Sequence, residues 1–325
     1  MTDMPLSPPD APEPTERGFL SAGDGTRLAY ARWEASGARG RVVISHGYGE
    51  HGQRYAHTAG WLNSLGWSVS AMDHRGFGRS VGTRGDCNGI EGPVEDLTLF
   101  MRQERVHDGA AAPAAPGPDG ALPPAQQPAL PQILLGHSLG GLVALLVLLW
   151  HPETLEGLIV SSPAVSLRGI SPSLRLLGTL MRLVAPHRPV RLASDKSQVC
   201  SDPEMVRRYR EDPLCHQFAT AALGAALKEG RREILPFGAH LDRPILLLEA
   251  GRDSLVDPDG AEELWSAVPA GGLERHRLPE CMHEIFHDLE RGEAERLAAQ
   301  WLDSRFPALA TIPTRSAPSP QIGLS

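Results

Sequence analysis

The pentapeptide Gly136-His137-Ser138-Leu139-Gly140 sets a serine between two glycines, after the apolar run QILL and before the apolar run Leu142 to Trp150. A strand turning sharply into a helix needs glycine where a Cβ would clash, and it holds the serine strained with its hydroxyl off the sheet. The helix start beneath favours developing negative charge. A serine hydroxyl is a weak nucleophile at neutral pH and needs a base, itself oriented by an acid. Asp253 directly follows the apolar run PILLLEAG (244–251), which places its carboxylate at the strand end where Ser138 sits. Asp257 is the rival acid, but Pro258 after it reads as a helix start with Asp257 as its N-cap. For the base, His283 lies just beyond the candidate strand LERHRLPE (273–280), whereas His276 falls inside that strand and His287 inside the following helical turn. The tetrahedral intermediate of acyl transfer needs two backbone N–H donors. Leu139 supplies one as the residue after the serine; Tyr48 supplies the other, on a loop that Gly47 and Gly49 let approach closely.

These residues need elements that converge on one edge. The runs 41–45, 67–73, 132–136, 155–162 and 244–251 are short, continuous and apolar, as strands buried on both faces are. GFLSAGDGTRLAYARWEA near the start and LERHRLPE near the end add candidate edge strands. Helical patterns at 54–66 and 139–152 separate strands, so the alternation predicts an α/β architecture with a mostly parallel central sheet flanked by helices. Between about Pro163 and Asp242 the alternation stops, and 173–185, 204–212 and 218–235 read as successive helices. An inserted helical cap over the C-terminal edge of the strands, where open α/β sheets bind ligands, is the expectation. The boundaries expected are a tail over 1–16, a core over 17–162 carrying a flexible Ala/Pro-rich insertion at 108–131, a cap over 163–242, core again over 243–306, and a tail over 307–325.

The 325 residues are 41% hydrophobic and 22% charged, an ordinary globular balance with room for a large core. A net charge of −8 argues against nucleic acid and anionic surfaces as electrostatic partners. The N-terminus lacks the basic start and apolar stretch of a secretory signal, and no apolar run is long enough to span a bilayer. Cys87, Cys200, Cys215 and Cys281 show no paired spacing, so reduced thiols in a cytoplasmic protein fit better than a disulfide framework or a zinc site. Cys281, two residues before His283, reads as a buried thiol or one near enough to the site for reagents to act. No H-E-x-x-H, P-loop or strand-following G-x-G-x-x-G implies a cofactor or metal.

HGYGEHGQRY (46–55), DHRGFGRS (73–80), GHSLGG (136–141) and MHEIF (282–286) together resemble the monoacylglycerol lipase and lysophospholipase branch of the α/β hydrolases, over most of residues 18–305. The resemblance implies the α/β-hydrolase fold, Ser138, Asp253 and His283 as a triad, and the Tyr48 and Leu139 amides as the oxyanion hole. It also implies that Glu50 and Arg54 lie near the headgroup end of the pocket, orienting a glycerol-like moiety, with a loop-holding salt bridge as the other reading. DHRGFGRS and the cap segment EDPLCH (211–216) are expected to be architectural. Leu174, Leu177, Leu180, Met181 and Val184 form a helical stripe that suits core, an acyl tunnel, or transient contact with a membrane surface. Two departures stand out: the length of the 108–131 insertion, and Tyr48 where a smaller residue is usual, which narrows the pocket. The expected activity is hydrolysis of a small lipid ester through an acyl-enzyme. An aminopeptidase, thioesterase or general carboxylesterase on the same triad, and a non-catalytic ligand-binding protein of this fold, are the alternatives. Dehalogenase and epoxide hydrolase chemistry would need a carboxylate where Ser138 stands.

Overall fold

The computed structural model describes residues 11–109, 130–168, 172–192 and 196–307. Most of both expected tails and of the 108–131 insertion, and the side chain of Leu174, lie outside the described residues. The chain opens with a hairpin of β1 (Glu16–Ser21) and β2 (Arg27–Trp33), then β3 (Gly40–Ser45), α1 (Ala56–Ser64), β4 (Trp67–Met72) and α2 (Glu91–His107). There follow β5 (Gln132–His137), α3 (Leu139–Trp150) and β6 (Gly157–Ser161). The insertion after β6 holds α4 (Pro172–Val184), β7 (Val190–Arg191), α5 (Pro203–Glu211), β8 (Phe218–Ala219) and α6 (Ala221–Ile234). The core resumes with β9 (Ile245–Ala250), α7 (Glu262–Ser266), β10 (Leu273–Leu278) and α8 (Arg291–Arg305).

Eight strands form one sheet in the order β1-β2-β4-β3-β5-β6-β9-β10, antiparallel only at the β1–β2 and β2–β4 pairings. The continuous apolar runs follow from burial on both faces, and period-two alternation sorts them. Val43, Leu134, Leu158, Val160 and Leu247 pack with α2, α3 and α6, whereas Val42, Ile44, Ile133, Leu135, Ile159 and Leu246 pack with α1 and α8.

Two expectations change. The ordered chain begins before residue 17: the Thr15 N–H donates to Arg32 O at 2.8 Å and the Trp33 indole to Pro12 O at 3.0 Å, extending the hairpin. In the insertion, residues 218–219 are not helical; they pair with 190–191 as an antiparallel strand, and the Thr220 side chain caps α6 at Leu223 N–H. Two-residue strands carry no periodic signature, so composition alone favoured helix there.

At the foot of the sheet, away from Ser138, Glu104 on α2 is fully buried between two arginines. Arg32 reaches it through Nε and Nη2 at 3.0 and 2.6 Å, and Arg41 Nη1 lies 3.2 Å away. Removing one member of a buried ion group strands the others, a loss of about 3 kcal/mol. Glu104→Ala should therefore lower the urea midpoint by that equivalent without altering Ser138 reactivity; an unchanged midpoint would mean that solvent reaches these arginines.

Candidate active site

Ser138 stands between β5 and α3 at φ 51°, ψ −115°, a left-handed conformation that costs a non-glycine residue about 1–3 kcal/mol. The glycines beside it leave no alternative. A Cβ on Gly140 would sit 2.1 Å from Ser45 O, and one on Gly136 would sit 2.6 Å from Gly140 O. The turn after β6 braces the strained peptide: the Ser138 N–H donates to Ser161 O at 3.0 Å, and the Ala164 N–H donates to Ser138 O at 2.9 Å. Ser162 in that turn is itself left-handed, at φ 41°, and its N–H donates to Leu248 O of β9 at 2.9 Å. This second strained turn has no motif in the sequence and was not anticipated there.

Ser138, His283 and Asp253 come together from three loops at the C-terminal edge of the sheet. His283 Nε2 lies 2.9 Å from Ser138 Oγ, and His283 Nδ1 lies 2.8 Å from Asp253 Oδ2. The other oxygen of Asp253 accepts the Leu255 and Val256 N–H groups at 2.8 Å each. Burial pushes the pKa of this carboxyl up, but the hydrogen bond and charge of His283, with those two amides, outweigh it and hold the group below its ordinary value. Asp257 stays apart, 3.4 Å from Arg168. It occupies the N-cap position before Pro258, but its side chain accepts no capping bond, so that part of its expected role is corrected. His276 pairs with Glu274 at 2.9 Å on the edge strand, and His287 lies buried against the Tyr55 ring. Neither joins the chain of hydrogen bonds to Ser138. Cys281 is also buried, its thiol pushed up to about 12 by desolvation.

Leu139 directly follows Ser138, and Tyr48 follows Gly47, where an added Cβ would sit 3.0 Å from the His137 ring. Leu139 is the first residue of α3, where a backbone N–H has no intrahelical acceptor. The Tyr48 loop is held by charge. Glu50 accepts the Gly47 N–H at 2.6 Å and the Tyr55 hydroxyl at 2.9 Å, and it pairs with Arg54. Arg54 also reaches Glu284 at 3.0 Å, and Glu284 accepts Lys196 of the insertion at 2.9 Å. Glu50 and Arg54 are 1% and 5% exposed, and their charged atoms face one another and Glu284. The network thus ties the loop carrying Tyr48 to the segment carrying His283 and to the insertion. Glu284 and Lys196 lie far from Arg54 in sequence, so only the neighbouring position of Glu284 to His283 hinted at it. The Tyr48 ring packs edge-on against Phe77 and against His216 of the insertion, with centroids 6.0 and 6.3 Å away. Asp73 is architectural, accepting the Gly52 and Arg79 N–H groups at 2.8 Å each.

The chain belongs to the family described as serine aminopeptidase, S33, whose profile matches residues 36–116 and 120–290. It is 32% identical over 280 residues to a monoacylglycerol lipase of Mycolicibacterium smegmatis, spanning 85% of this chain and 92% of that one. The human monoglyceride lipase is 28% identical over 290 residues, 85% of this chain and 89% of its own. Among solved structures, a monoacylglycerol lipase of Paleococcus ferrophilus superposes with a TM-score of 0.72 at 26% identity, covering 86% of this chain and 99% of that one. Fold and relatives place this protein in the monoacylglycerol-lipase-like branch of the α/β hydrolases, as an ester-hydrolysing serine hydrolase. No helix among the described residues is long and apolar enough to cross a membrane.

Three histidines packed around the site are buried and held neutral. Desolvation lowers the pKa of His46 and His74, and desolvation with the neighbouring His283 lowers that of His137 to about 3. Unfolding below pH 6.5 lets these rings take protons they lack when folded, so stability falls as pH drops through that value. For His74 and His137, whose pKa values lie furthest below the ordinary one, the slope approaches about 1.4 kcal/mol per pH unit for each ring. Urea denaturation at pH 7.5, 6.5, 5.5 and 5.0 should show the midpoint decreasing with acid; a flat profile over that range contradicts their neutral state.

Proposed function

We propose that Ser138, His283 and Asp253 form the catalytic triad of a lipid-ester hydrolase, with the Tyr48 and Leu139 amides as its oxyanion hole. The unbroken chain of hydrogen bonds from Ser138 through His283 to Asp253 carries this reading. Ser138 Oγ attacks the ester carbonyl carbon as its proton passes to His283 Nε2, and the two amides take the oxyanion. The intermediate collapses with His283 giving its proton to the departing alcohol, leaving the acyl group on Ser138. Water, deprotonated by His283, then attacks the acyl-enzyme and releases the fatty acid. Asp253 holds the imidazole in orientation and stabilises its cationic form.

The substrate class proposed is monoacylglycerol or lysophospholipid, supported by relatives named monoacylglycerol lipase and by one named phospholipase. Aminopeptidase chemistry has only the family's name in its favour. Glu50 and Arg54 act in this reading chiefly by holding the Tyr48 loop, because their charges are already matched within the protein. The helical insertion is read as a cap whose α4 meets lipid: Leu176, Leu177, Leu180, Leu183 and Val184 are exposed, the last two at 78% and 79%. An apolar stripe of that size facing outward suits brief contact with a membrane surface. A cytoplasmic location belongs to the same reading, supported by four cysteines that form no disulfide.

A fluorophosphonate probe should label the wild type and not Ser138→Ala, whose kcat on a monoacylglycerol should fall by about 10³-fold or more. A labelled variant would remove Ser138 from the mechanism. Assayed beside it, the double substitution Leu183→Asp, Val184→Asp should weaken sedimentation with phosphatidylcholine vesicles and leave hydrolysis of a short-chain p-nitrophenyl ester unchanged. Equal vesicle binding would place the lipid contact elsewhere.

A further inference from the structure

Where the insertion meets the loop after β3, three side chains of different chemistry converge. His51 comes from the loop, three residues beyond Tyr48; Asp212 and Cys215 come from the turn after α5. One ligating atom from each lies within 4.8 Å of the other two, and His51 Nε2 is 2.8 Å from Asp212 Oδ2. We propose that His51, Asp212 and Cys215 form a binding site for a thiophilic divalent cation of the zinc class, bridging the cap to the loop that carries Tyr48.

Nitrogen, carboxylate oxygen and sulfur are the donors zinc takes, at about 2.0–2.3 Å, in a tetrahedron whose fourth place water can fill. Ligand atoms around such an ion stand roughly 3.3–3.8 Å apart. The observed separations therefore need shifts of about an ångström, confined to one loop and one turn. His51 Nδ1 is buried with no hydrogen-bond partner among the described residues, so the ring proton can move there and free Nε2 for the metal. The surrounding charge permits a cation. Arg54 and Lys196 are matched by Glu50 and Glu284, leaving Asp212 and a Cys215 thiolate to balance a divalent ion. Burial pushes the free thiol's pKa well up, so the metal must displace one proton from Cys215 Sγ to solvent.

Among the described residues the other His-containing cluster, Glu34, His107 and Asp108, has no thiol, and Arg41 already occupies the Glu34 and Asp108 carboxylates. Sulfur ligation therefore distinguishes the two. Titrating the reduced full-length protein with Co²⁺ should give a thiolate-to-cobalt charge-transfer band saturating at one equivalent and abolished by stoichiometric Zn²⁺. Cys215→Ser should lose the band while keeping its melting temperature and short-ester hydrolysis, and Cys281→Ser should keep the band. Should Cys215→Ser fail to fold, X-ray absorption of the wild-type zinc complex decides, with one sulfur and the rest nitrogen or oxygen expected. No band, a band surviving in Cys215→Ser, or a sulfur-free shell overturns the site. All of these readouts are independent of whether Ser138 is the nucleophile.

Discussion

A serine held at positive φ is the constraint from which most of the site can be read. Left to itself, Ser138 would relax into an ordinary turn and gain on the order of 1–3 kcal/mol, withdrawing its hydroxyl from the strand edge. It does not, because its peptide is gripped from neighbouring elements. Gly140 lies against Ser45 and His46 at the end of β3, closer than any Cβ would permit. The β6 turn donates through Ala164 and accepts through Ser161, and Ser162 fastens that turn to β9. β9 in turn leads directly to Asp253. The strain at the proposed nucleophile is thus set against the packing of three parallel strands, and the proposed acid is placed by the same strands.

The histidine needs separate support, since it arrives on a loop beyond the edge strand. Glu284, its neighbour, is buried and carries a full charge, which is tolerable only because Arg54 and Lys196 satisfy it. Arg54 at the same time satisfies Glu50, and Glu50 holds the Gly47 amide beside Tyr48. One alternating string of charges therefore spans the loop after β3, the histidine loop and the cap. Its worth lies less in net stability than in geometry: two proposed oxyanion and base positions cannot drift independently while they share Arg54. The Tyr209 ring lies over both cations, 5.1 Å from the Arg54 guanidinium and 4.0 Å from the Lys196 ammonium, which makes α5 part of the same assembly.

The central parallel strands β3, β4, β5, β6 and β9 were legible because each is buried on both faces and so reads as a largely apolar run. The order Ser138, Asp253, His283 was legible because Ser138 and Asp253 come just after apolar runs and His283 just after the edge strand β10. Contacts between distant segments were not. Arg54 with Glu284, Lys196 with Glu284, and Ala164 with Ser138 leave no local periodicity, and exposed and buried charges look alike in a sequence. For Glu50 and Arg54 two readings stood open, and burial favours the loop-holding one. Within the cap, β7 and β8 were hidden because two residues cannot show alternation, whereas α4 and α5 showed their amphipathic spacing.

The same topology fixes where the long Ala/Pro-rich segment leaves and rejoins the described structure. Its described ends are both pinned at the foot of the sheet: the Asp108 carboxylate binds Arg41 at 2.6 and 2.8 Å, and Pro131 O accepts the Arg41 N–H at 2.9 Å. Arg41 is the second residue of β3, whose opposite end leads to Tyr48, and Pro131 precedes β5, whose opposite end leads to Ser138. In a parallel sheet every strand carries its loops to two separate edges, so length added at one edge is invisible to chemistry at the other. Lengthening a surface connection costs only slowly growing closure entropy. The cap cannot vary so freely, because it departs from the edge where the proposed triad lies and is tied to it through Lys196. Variation at the foot therefore leaves the proposed reaction untouched, while variation in the insertion bears on the charge network that Lys196 shares with Glu284, the neighbour of His283.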